Sequence, residues 1–330
     1  MDTVSWFRHI KVGALGLIVS LVAIYFIVVQ INVERFTNAL FTADYRFLLP
    51  CMLFLVLGLV TRAIRGRVLL SNQLPYHRAF SIMNVAYLVN GILPMRIGEV
   101  ARIFLTTRVE NPIPAMQTAS TIIVERLLDL LAVVVMMMLA LTVAPVPQEL
   151  RYAGAFGAAM AIGGFIVLIV IARQRQFAER VVAWLTVKIP ILERVKLSSF
   201  VSDFLNGLMP ILDLNALSRA VLWTAISWIL STIAGYILMF AFFPQGDWVA
   251  TMLYIAAAAF AIAVPAVPGN IGTYEASILL ALVALGYEQS DVAIAFAIAV
   301  HAVNVLVHAS TGVIGFMREG ISLSQLASGV

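Results

Sequence analysis

Long apolar runs separated by short polar segments make up nearly all of this 330-residue chain. A helix needs about 20 mostly apolar residues to cross the hydrocarbon core of a bilayer. The pattern predicts spanning helices over residues 12–31, 47–64, 117–143, 152–172, 219–243 and 291–316. We therefore expect an all-α, polytopic membrane protein with about six spanning helices.

Two further apolar regions, 79–105 and 249–286, are interrupted near the middle by a similar pattern. The first interruption reads Pro-Met-Arg-Ile-Gly-Glu over 94–99, and the second reads Pro-Gly-Asn-Ile-Gly over 268–272, followed by Glu275. Helix breakers at membrane depth are tolerated only where protein buries them or where they line a cavity. Breaks in corresponding positions of two halves indicate a transporter-type binding site.

Basic residues indicate how the chain lies across the membrane, because cytoplasmic segments carry the excess of Lys and Arg. One basic segment precedes the first interrupted region and another covers 173–196; their cations are Arg62, Arg65, Arg67, His77, Arg78, Arg173, Arg175, Arg180, Lys188, Arg194 and Lys196. The chain must then be cytoplasmic on both sides of 79–105, which predicts a re-entrant hairpin. Its arms of about 12–15 residues reach roughly 18–22 Å, less than a hydrocarbon core of about 30 Å. Region 249–286 is expected to be a re-entrant hairpin from the outside, and both termini are expected to be cytoplasmic.

The spacing also predicts an inverted repeat. Pro94 and Pro268 are 174 positions apart, and the last helix of each half is displaced by nearly the same amount. We expect one transmembrane domain over 1–330, with pseudo-repeats at about 12–143 and 152–316. The alternative is that both interrupted regions are ordinary spanning helices with a proline kink.

The least membrane-like segment is 173–218, in which apolar residues recur at helical spacing opposite basic ones. The apolar residues are Phe177, Val181, Trp184 and Leu185, and the basic ones are Arg180 and Lys188. This pattern predicts a cytoplasmic amphipathic segment on the membrane surface. A small cytoplasmic pair of helices would produce the same pattern.

Composition excludes several classes of function. Hydrophobic residues are 62% of the chain and charged residues 12%, against about 25% charged in soluble proteins, which leaves no room for a soluble catalytic domain. The single cysteine, Cys51, excludes a disulfide framework and a multi-thiolate metal site. A net charge of +4 is not a nucleic-acid signal, and no phosphate-binding loop is present. We expect no cofactor, no metal and no nucleic-acid partner.

The first candidate site surrounds the first break and consists of Asn90, Pro94, Arg96, Glu99 and Arg102. Arg96, Glu99 and Arg102 are spaced three apart and would share a helix face. Pro94 suits the first turn of a helix, whose positive end would form an anion site. A guanidinium there matches phosphate in charge and geometry, and ionisable groups at this depth indicate a functional site. The alternative is an internal arginine–glutamate pair that only holds the hairpin together.

The second candidate site is the second break, with Pro268, Gly269, Gly272, Tyr274 and Glu275. Its glycines permit positive φ and close approach of the backbone, and Thr273 is expected to cap the helix that follows. Turns made of glycine and proline are common, so this motif alone is weak evidence for a site. The stronger evidence is that it corresponds in position to the first break.

A third group consists of Glu125, Arg126 and Asp129, early in the helix 117–143. Glu125 and Asp129 are four apart and share a helix face, so Arg96 or Arg102 are plausible partners. The alternative is that these charges reach the membrane surface by snorkelling. A polar stripe near the C-terminus is open to three interpretations, namely pore lining, proton relay and hydrogen bonds between helices; it consists of His301, Asn304 and His308.

Taken in order, these motifs resemble the lysylphosphatidylglycerol synthase transmembrane region, a flippase-like family that also occurs as stand-alone proteins. The motifs are Asn90 with Pro94-x-Arg96-x-Gly98-Glu99-x-x-Arg102, then Glu125-Arg126-x-x-Asp129, then Pro268-Gly-x-Ile-Gly272-x-x-Glu275. The resemblance covers about 10–318. It implies a multi-pass protein of the cytoplasmic (inner) membrane that moves lipid-linked groups, such as aminoacylated phosphatidylglycerol or polyprenyl- or dolichyl-phosphate-linked sugars. The sequence ends at Val330 without the aminoacyltransferase domain of two-part members, so we do not expect it to make lysylphosphatidylglycerol itself.

We therefore expect a flippase, not an enzyme, that moves a phospholipid or a polyprenyl-phosphate-linked lipid across the membrane. Arg96 and the half-helix N-termini would receive the phosphate. The carboxylates of Glu99, Glu125, Asp129 and Glu275 would pair with the arginines of the empty site or receive a cationic head group. The alternatives are a membrane-embedded lipid-phosphate or glycosyl transferase and a small-solute transporter. The expected partners are the membrane lipid substrate, a second copy of the chain in a homo-oligomer, and a separate lipid-modifying enzyme.

Overall fold

The computed structural model describes residues 21–22, 24–25, 31–93, 96–143, 148–194, 196–263, 268–287 and 291–320. All regular secondary structure in these residues is helical, as the apolar pattern predicts. The helices are α1 Val33–Thr42, α2 Leu48–Leu69, α3 Tyr76–Ile92, α4 Gly98–Thr106, α5 Ala115–Val143, α6 Gln148–Arg173, α7 Arg175–Lys188, α8 Pro190–Arg194, α9 Leu197–Leu208, α10 Leu214–Met239, α11 Trp248–Ala263, α12 Thr273–Ala284 and α13 Asp291–Glu319. Single 3₁₀ turns occur at Tyr45–Phe47, Met209–Ile211 and Pro268–Asn270.

Four described helical segments are long and apolar enough to cross a membrane. These are Tyr45–Leu69, Gly154–Arg173, Leu214–Met239 and Asp291–Glu319. Helix α5 has 29 residues, or about 43 Å, and contains the ionisable residues of the third candidate group. The helix predicted over 12–31 lies almost wholly outside the described residues.

Both interrupted regions are helix–break–helix units. Helix α3 ends at Ile92 and α4 begins at Gly98, while α11 and α12 are separated by a 3₁₀ turn. Arg96 and Asn270 each adopt a left-handed backbone with φ 56°, and they are 174 positions apart. The four helices have 17, 9, 16 and 12 residues, so each is shorter than the roughly 20 residues that a span requires.

The helices of the two halves exchange partners. Helix α3 of the first half packs against α13 of the second, and α11 of the second packs against α5 of the first. Helices α2 and α10 pack against each other. The two breaks also meet, because a Cβ at Gly269 would lie 3.4 Å from the carbonyl oxygen of Gly91. The largest apolar core joins α5, α10, α11, α12 and α13.

Two predicted boundaries differ from the structure by five residues. Helix α2 continues to Leu69 instead of ending at 64, so Arg62, Arg65 and Arg67 are helical residues and not part of a cytoplasmic loop. Helix α10 begins at Leu214, five residues before the predicted start, because the Asp213 side chain accepts a hydrogen bond from the Asn215 N–H at 2.9 Å and caps the helix.

The segment 173–218 contains three helices, α7, α8 and α9. Helix α9 packs closely on α5, where a Cβ at Gly207 would lie 2.4 Å from the carbonyl oxygen of Gln117. Helix α7 packs on α9 and leaves Phe177 and Trp184 exposed. An apolar face of α7 thus stays exposed, and the position of this segment at the cytoplasmic surface stays a prediction.

Candidate functional site

A buried ion pair connects the short helix α4 to the long helix α5. The guanidinium of Arg102 donates two hydrogen bonds to the carboxylate of Glu125, at 2.7 and 2.6 Å, and both residues are buried. Helix α2 makes room for this pair with a glycine, because a Cβ at Gly66 would lie 2.9 Å from Arg102 Nη2 and 3.1 Å from Glu125 Oε1. The pair fixes the helix after the first break against α5.

Asp129 accepts hydrogen bonds from two other helices. The guanidinium of Arg65 donates to its two carboxylate oxygens at 2.5 and 3.1 Å, and the indole N–H of Trp228 donates at 3.1 Å. Arg65 also donates to the Thr224 hydroxyl at 3.3 Å and lies 3.7 Å from Glu125. Asp129 therefore joins α2, α5 and α10 through one carboxylate.

The third ion pair joins Arg126 of α5 to Glu99 of α4. Arg126 also lies 3.7 Å from Asp129. The sequence grouped Arg96, Glu99 and Arg102 on one helix face, but α4 begins at Gly98, so Arg96 belongs to the break. Neither Glu99 nor Arg102 pairs within its own hairpin. Both pair with α5, as the sequence predicts for Arg102 with Glu125.

Two arginines beside these pairs have no ion-pair or hydrogen-bond partner in the described part of the chain. One is Arg96, half-buried at the first break, which interacts electrostatically with Glu99 and Arg126. The other is Arg62, whose Nε is buried without a hydrogen-bond partner and whose guanidinium lies 5.4 Å from the centre of the Trp228 ring. We call Arg62, Arg65, Arg96, Arg102 and Arg126 the arginine cluster.

A narrow cleft, too small to admit a water molecule, lies beside the arginine cluster. It is lined by Met83, Ala86, Tyr87, Asn90, Glu99, Arg102 and Arg126. Asn90 bridges the first break, because its side-chain oxygen accepts a hydrogen bond from the Gly98 N–H at 2.8 Å. That bond uses one of the free N–H groups at the start of α4. Pro94 lies outside the described residues.

The second break is held by contacts of its own. Glu275 accepts the Gly272 N–H at 2.7 Å and lies 2.5 Å from Nδ1 of His301 on α13. The ring of Tyr274 packs on His301, with ring centres 4.5 Å apart. Glu275 therefore pairs with a histidine and not with an arginine, because α12 places it against α13.

The remaining residues of the second break shape the backbone. Gly269 and Gly272 have φ of 69° and 89°, as predicted, and Pro268 begins the 3₁₀ turn. Thr273 is the first residue of α12 and not its cap, since Gly272 occupies the cap position. These residues bring the second break against the first, but their side chains are not part of the arginine cluster.

Sequence reasoning missed the contribution of α2 and α10 to the site. Arg62 and Arg65 were assigned to a cytoplasmic loop, and Trp228 and Thr224 were not identified. The sequence contains one signal for a longer helix. No proline or glycine lies between Gly58 and Arg65, so the apolar helix is free to continue through Arg62 and Arg65. The described residues contain no group of three His, Cys, Asp or Glu side chains that could hold a metal ion.

The chain belongs to the family described as the lysylphosphatidylglycerol synthase TM region, whose model matches residues 13–312. The resemblance suggested by the motifs is thus confirmed, and the protein is a multi-pass membrane protein of a lipid-related family. Comparison with curated proteins and with solved structures gives no match.

Proposed function

We propose that this protein is a flippase that moves a phosphate-bearing lipid across the cytoplasmic membrane. The observation that carries the proposal is Arg96, a half-buried arginine at a helix break without a carboxylate partner among the described residues. A guanidinium offers five N–H donors in a fork that matches phosphate oxygens. A cation in this environment is costly unless an anion compensates it, and a phosphate head group would be that anion.

The ion pairs around Arg96 suit a preformed site. Glu99, Glu125 and Asp129 each hold an arginine from another helix, so the positions of Arg126, Arg102 and Arg65 are fixed before a ligand binds. We infer that the head group reaches Arg96 while the acyl chains stay in the lipid, which requires the narrow cleft beside Tyr87 and Asn90 to widen. Nothing in this mechanism requires nucleotide.

The proposed membrane arrangement is an inverted repeat with two re-entrant hairpins. Four observations support it: the short helices on either side of each break, the shared left-handed backbone at Arg96 and Asn270, the contact between Gly91 and Gly269, and the exchange of helix partners between halves. In such a fold one repeat moves against the other around a central site. We further propose that both termini are cytoplasmic, with the basic residues of α7 and the α2–α3 connection on that side.

The proposal is tested by reconstituting the purified protein in vesicles that contain a tail-labelled phospholipid and measuring how fast the label reaches the outer leaflet. Wild type is expected to accelerate translocation, and Arg96→Ala to abolish the acceleration while keeping a monodisperse, folded protein. Arg46→Ala is the matched control, since Arg46 is an exposed arginine paired only with Asp44. Normal translocation by a well-folded Arg96→Ala protein would contradict the assignment of the site.

A further inference from the structure

The arginine cluster carries more positive charge than the neighbouring carboxylates neutralise. Its five guanidinium groups interact with three carboxylates, those of Glu99, Glu125 and Asp129, and each carboxylate is already engaged in a close ion pair. Two positive charges therefore remain in excess. They belong to Arg62 and Arg96, the two members of the cluster without an ion pair among the described residues.

The two unpaired arginines act on one region of the protein. Arg62 borders Asp129 through Trp228, while Arg96 precedes by three residues Glu99, whose partner Arg126 lies 3.7 Å from Asp129. Trp228 orients this region from α10, because its ring faces the Arg62 guanidinium at 5.4 Å and its N–H donates to Asp129 at 3.1 Å. The buried Nε–H groups of Arg62, Arg65 and Arg126 all lack an acceptor in the described residues, which is an unmet requirement for a hydrogen bond. Of these three arginines, Arg62 is the one without an ion pair in that part of the chain.

Arg96 is also held in an unfavourable backbone conformation. Its φ is 56°, in the left-handed region that non-glycine residues rarely occupy. Such strain costs about 1–3 kcal/mol and persists where the surrounding structure imposes it, most often at ligand sites. An arginine therefore occupies a position where glycine would fit with less strain.

From these observations, and resting on the proposed function, we propose that the head group carries two negative charges on a terminal phosphate, and that Arg62 and Arg96 bind it together. A phosphate monoester carries about −1.5 to −2 charges at neutral pH and would neutralise both free arginines. A phosphodiester such as phosphatidylglycerol carries one negative charge and would leave one arginine uncompensated. The charge balance therefore favours a lipid with a terminal phosphate over an ordinary diester phospholipid.

The test compares two short-chain lipids in a neutral detergent, phosphatidic acid with a terminal phosphate and phosphatidylglycerol with a diester. Binding to purified wild type is measured at pH 7.5 and at pH 5, with inorganic phosphate as a competitor. The variants are Arg62→Gln, Arg96→Gln, the charge-preserving Arg62→Lys, and the exposed control Arg46→Gln. Monodispersity and thermal midpoint are recorded for each variant.

We expect wild type and Arg46→Gln to bind phosphatidic acid at least about tenfold more tightly than phosphatidylglycerol. A tenfold ratio of dissociation constants corresponds to the free energy of about one hydrogen bond to a charged group. Arg62→Gln and Arg96→Gln should each lose most of this preference, and Arg62→Lys should retain it. The preference should also disappear at pH 5, below the second phosphate pKa of about 6.

Each other outcome has a distinct meaning. Equal affinity for both lipids in wild type would overturn the charge inference and leave the proposed function intact. Binding of neither lipid would contradict both. Displacement of phosphatidic acid by an equal concentration of inorganic phosphate would support the dianion site and contradict a lipid substrate.

Discussion

Arg102 and Glu125 form a two-point ion pair, at 2.7 and 2.6 Å, that is buried between α4 and α5. It fixes the helix that follows the first break to the helix that carries Asp129. Because Arg65 lies 3.7 Å from the same glutamate, the pair also connects α2 to this position. The first break is thus held by a buried charge pair in addition to the apolar core that joins α3 and α4.

Loss of one partner of this pair should be strongly destabilising. Glu125→Gln leaves Arg102 buried without its counter-ion, which is expected to lower the free energy of unfolding by about 3–5 kcal/mol. Replacing both residues, with Arg102→Met and Glu125→Leu, should recover much of that loss. The measurement is the midpoint of unfolding in detergent. Glu179→Gln, which breaks the exposed pair with Arg175, is the control and should cost less than about 0.5 kcal/mol. Equal effects of the two single changes would contradict this account of the pair.

Gly98 should be essential for the shape of the first break. A Cβ at this position would lie 2.0 Å from the carbonyl oxygen of Ala86 and 2.6 Å from the side-chain oxygen of Asn90. Gly98→Ala is therefore expected to destabilise the protein by about 1–3 kcal/mol. Gly91→Ala is the matched change in the same hairpin, because nothing lies within 4 Å of a Cβ there. The account fails if thermal unfolding shows the two variants to be equally stable.

Asn270 should tolerate glycine but not a β-branched residue. Its φ of 56° is accessible to glycine without strain, while the left-handed region costs an ordinary L-residue roughly 1–2 kcal/mol. We expect Asn270→Gly to unfold at or above the wild-type midpoint and Asn270→Val to unfold below it. The same midpoint for both variants would mean that the backbone of the second break differs from the one described.

Both ends of each interrupted region should lie on one side of the membrane. The test replaces Cys51 and introduces single cysteines at Ser71 and Asn111, which flank the first region, and at Gln245 and Gln289, which flank the second. With a membrane-impermeant maleimide, positions 71 and 111 should label from the cytoplasmic side, and positions 245 and 289 from the opposite side. Labelling of 71 and 111 from opposite sides would replace the re-entrant hairpins by kinked spanning helices.

The helix breaks could be predicted from sequence because proline and glycine have local effects. The interrupted regions and the positive φ of Gly269 and Gly272 follow from residue type and spacing. For Glu125 and Asp129 the sequence offered Arg96 or Arg102 as partners, and the structure pairs Arg102 with Glu125. The left-handed backbone at Arg96 does not follow from residue type, because an arginine has no local preference for it. Two residues after Arg96, Gly98 packs closely on α3, and such packing depends on the tertiary fold.

The role of α2 in the site could not be deduced from the charge rule. Arginines near the end of an apolar run are normally assigned to the cytoplasmic surface, and Arg65 has the same sequence signature as a surface residue. Its burial depends on Asp129 of α5 and Thr224 of α10, which are 64 and 159 positions away in the chain. The pairing of Glu275 with His301 likewise depends on how α12 packs on α13.

The central claim, that the arginine cluster holds a phosphate-bearing lipid, is tested most directly by native mass spectrometry of the gently extracted protein. Wild type, Arg96→Ala and the control Arg46→Ala are compared for retained lipid. The account predicts that wild type and Arg46→Ala carry a defined phosphate-bearing lipid that Arg96→Ala has lost. A lipid retained equally by all three proteins, or no specific lipid in wild type, would contradict it.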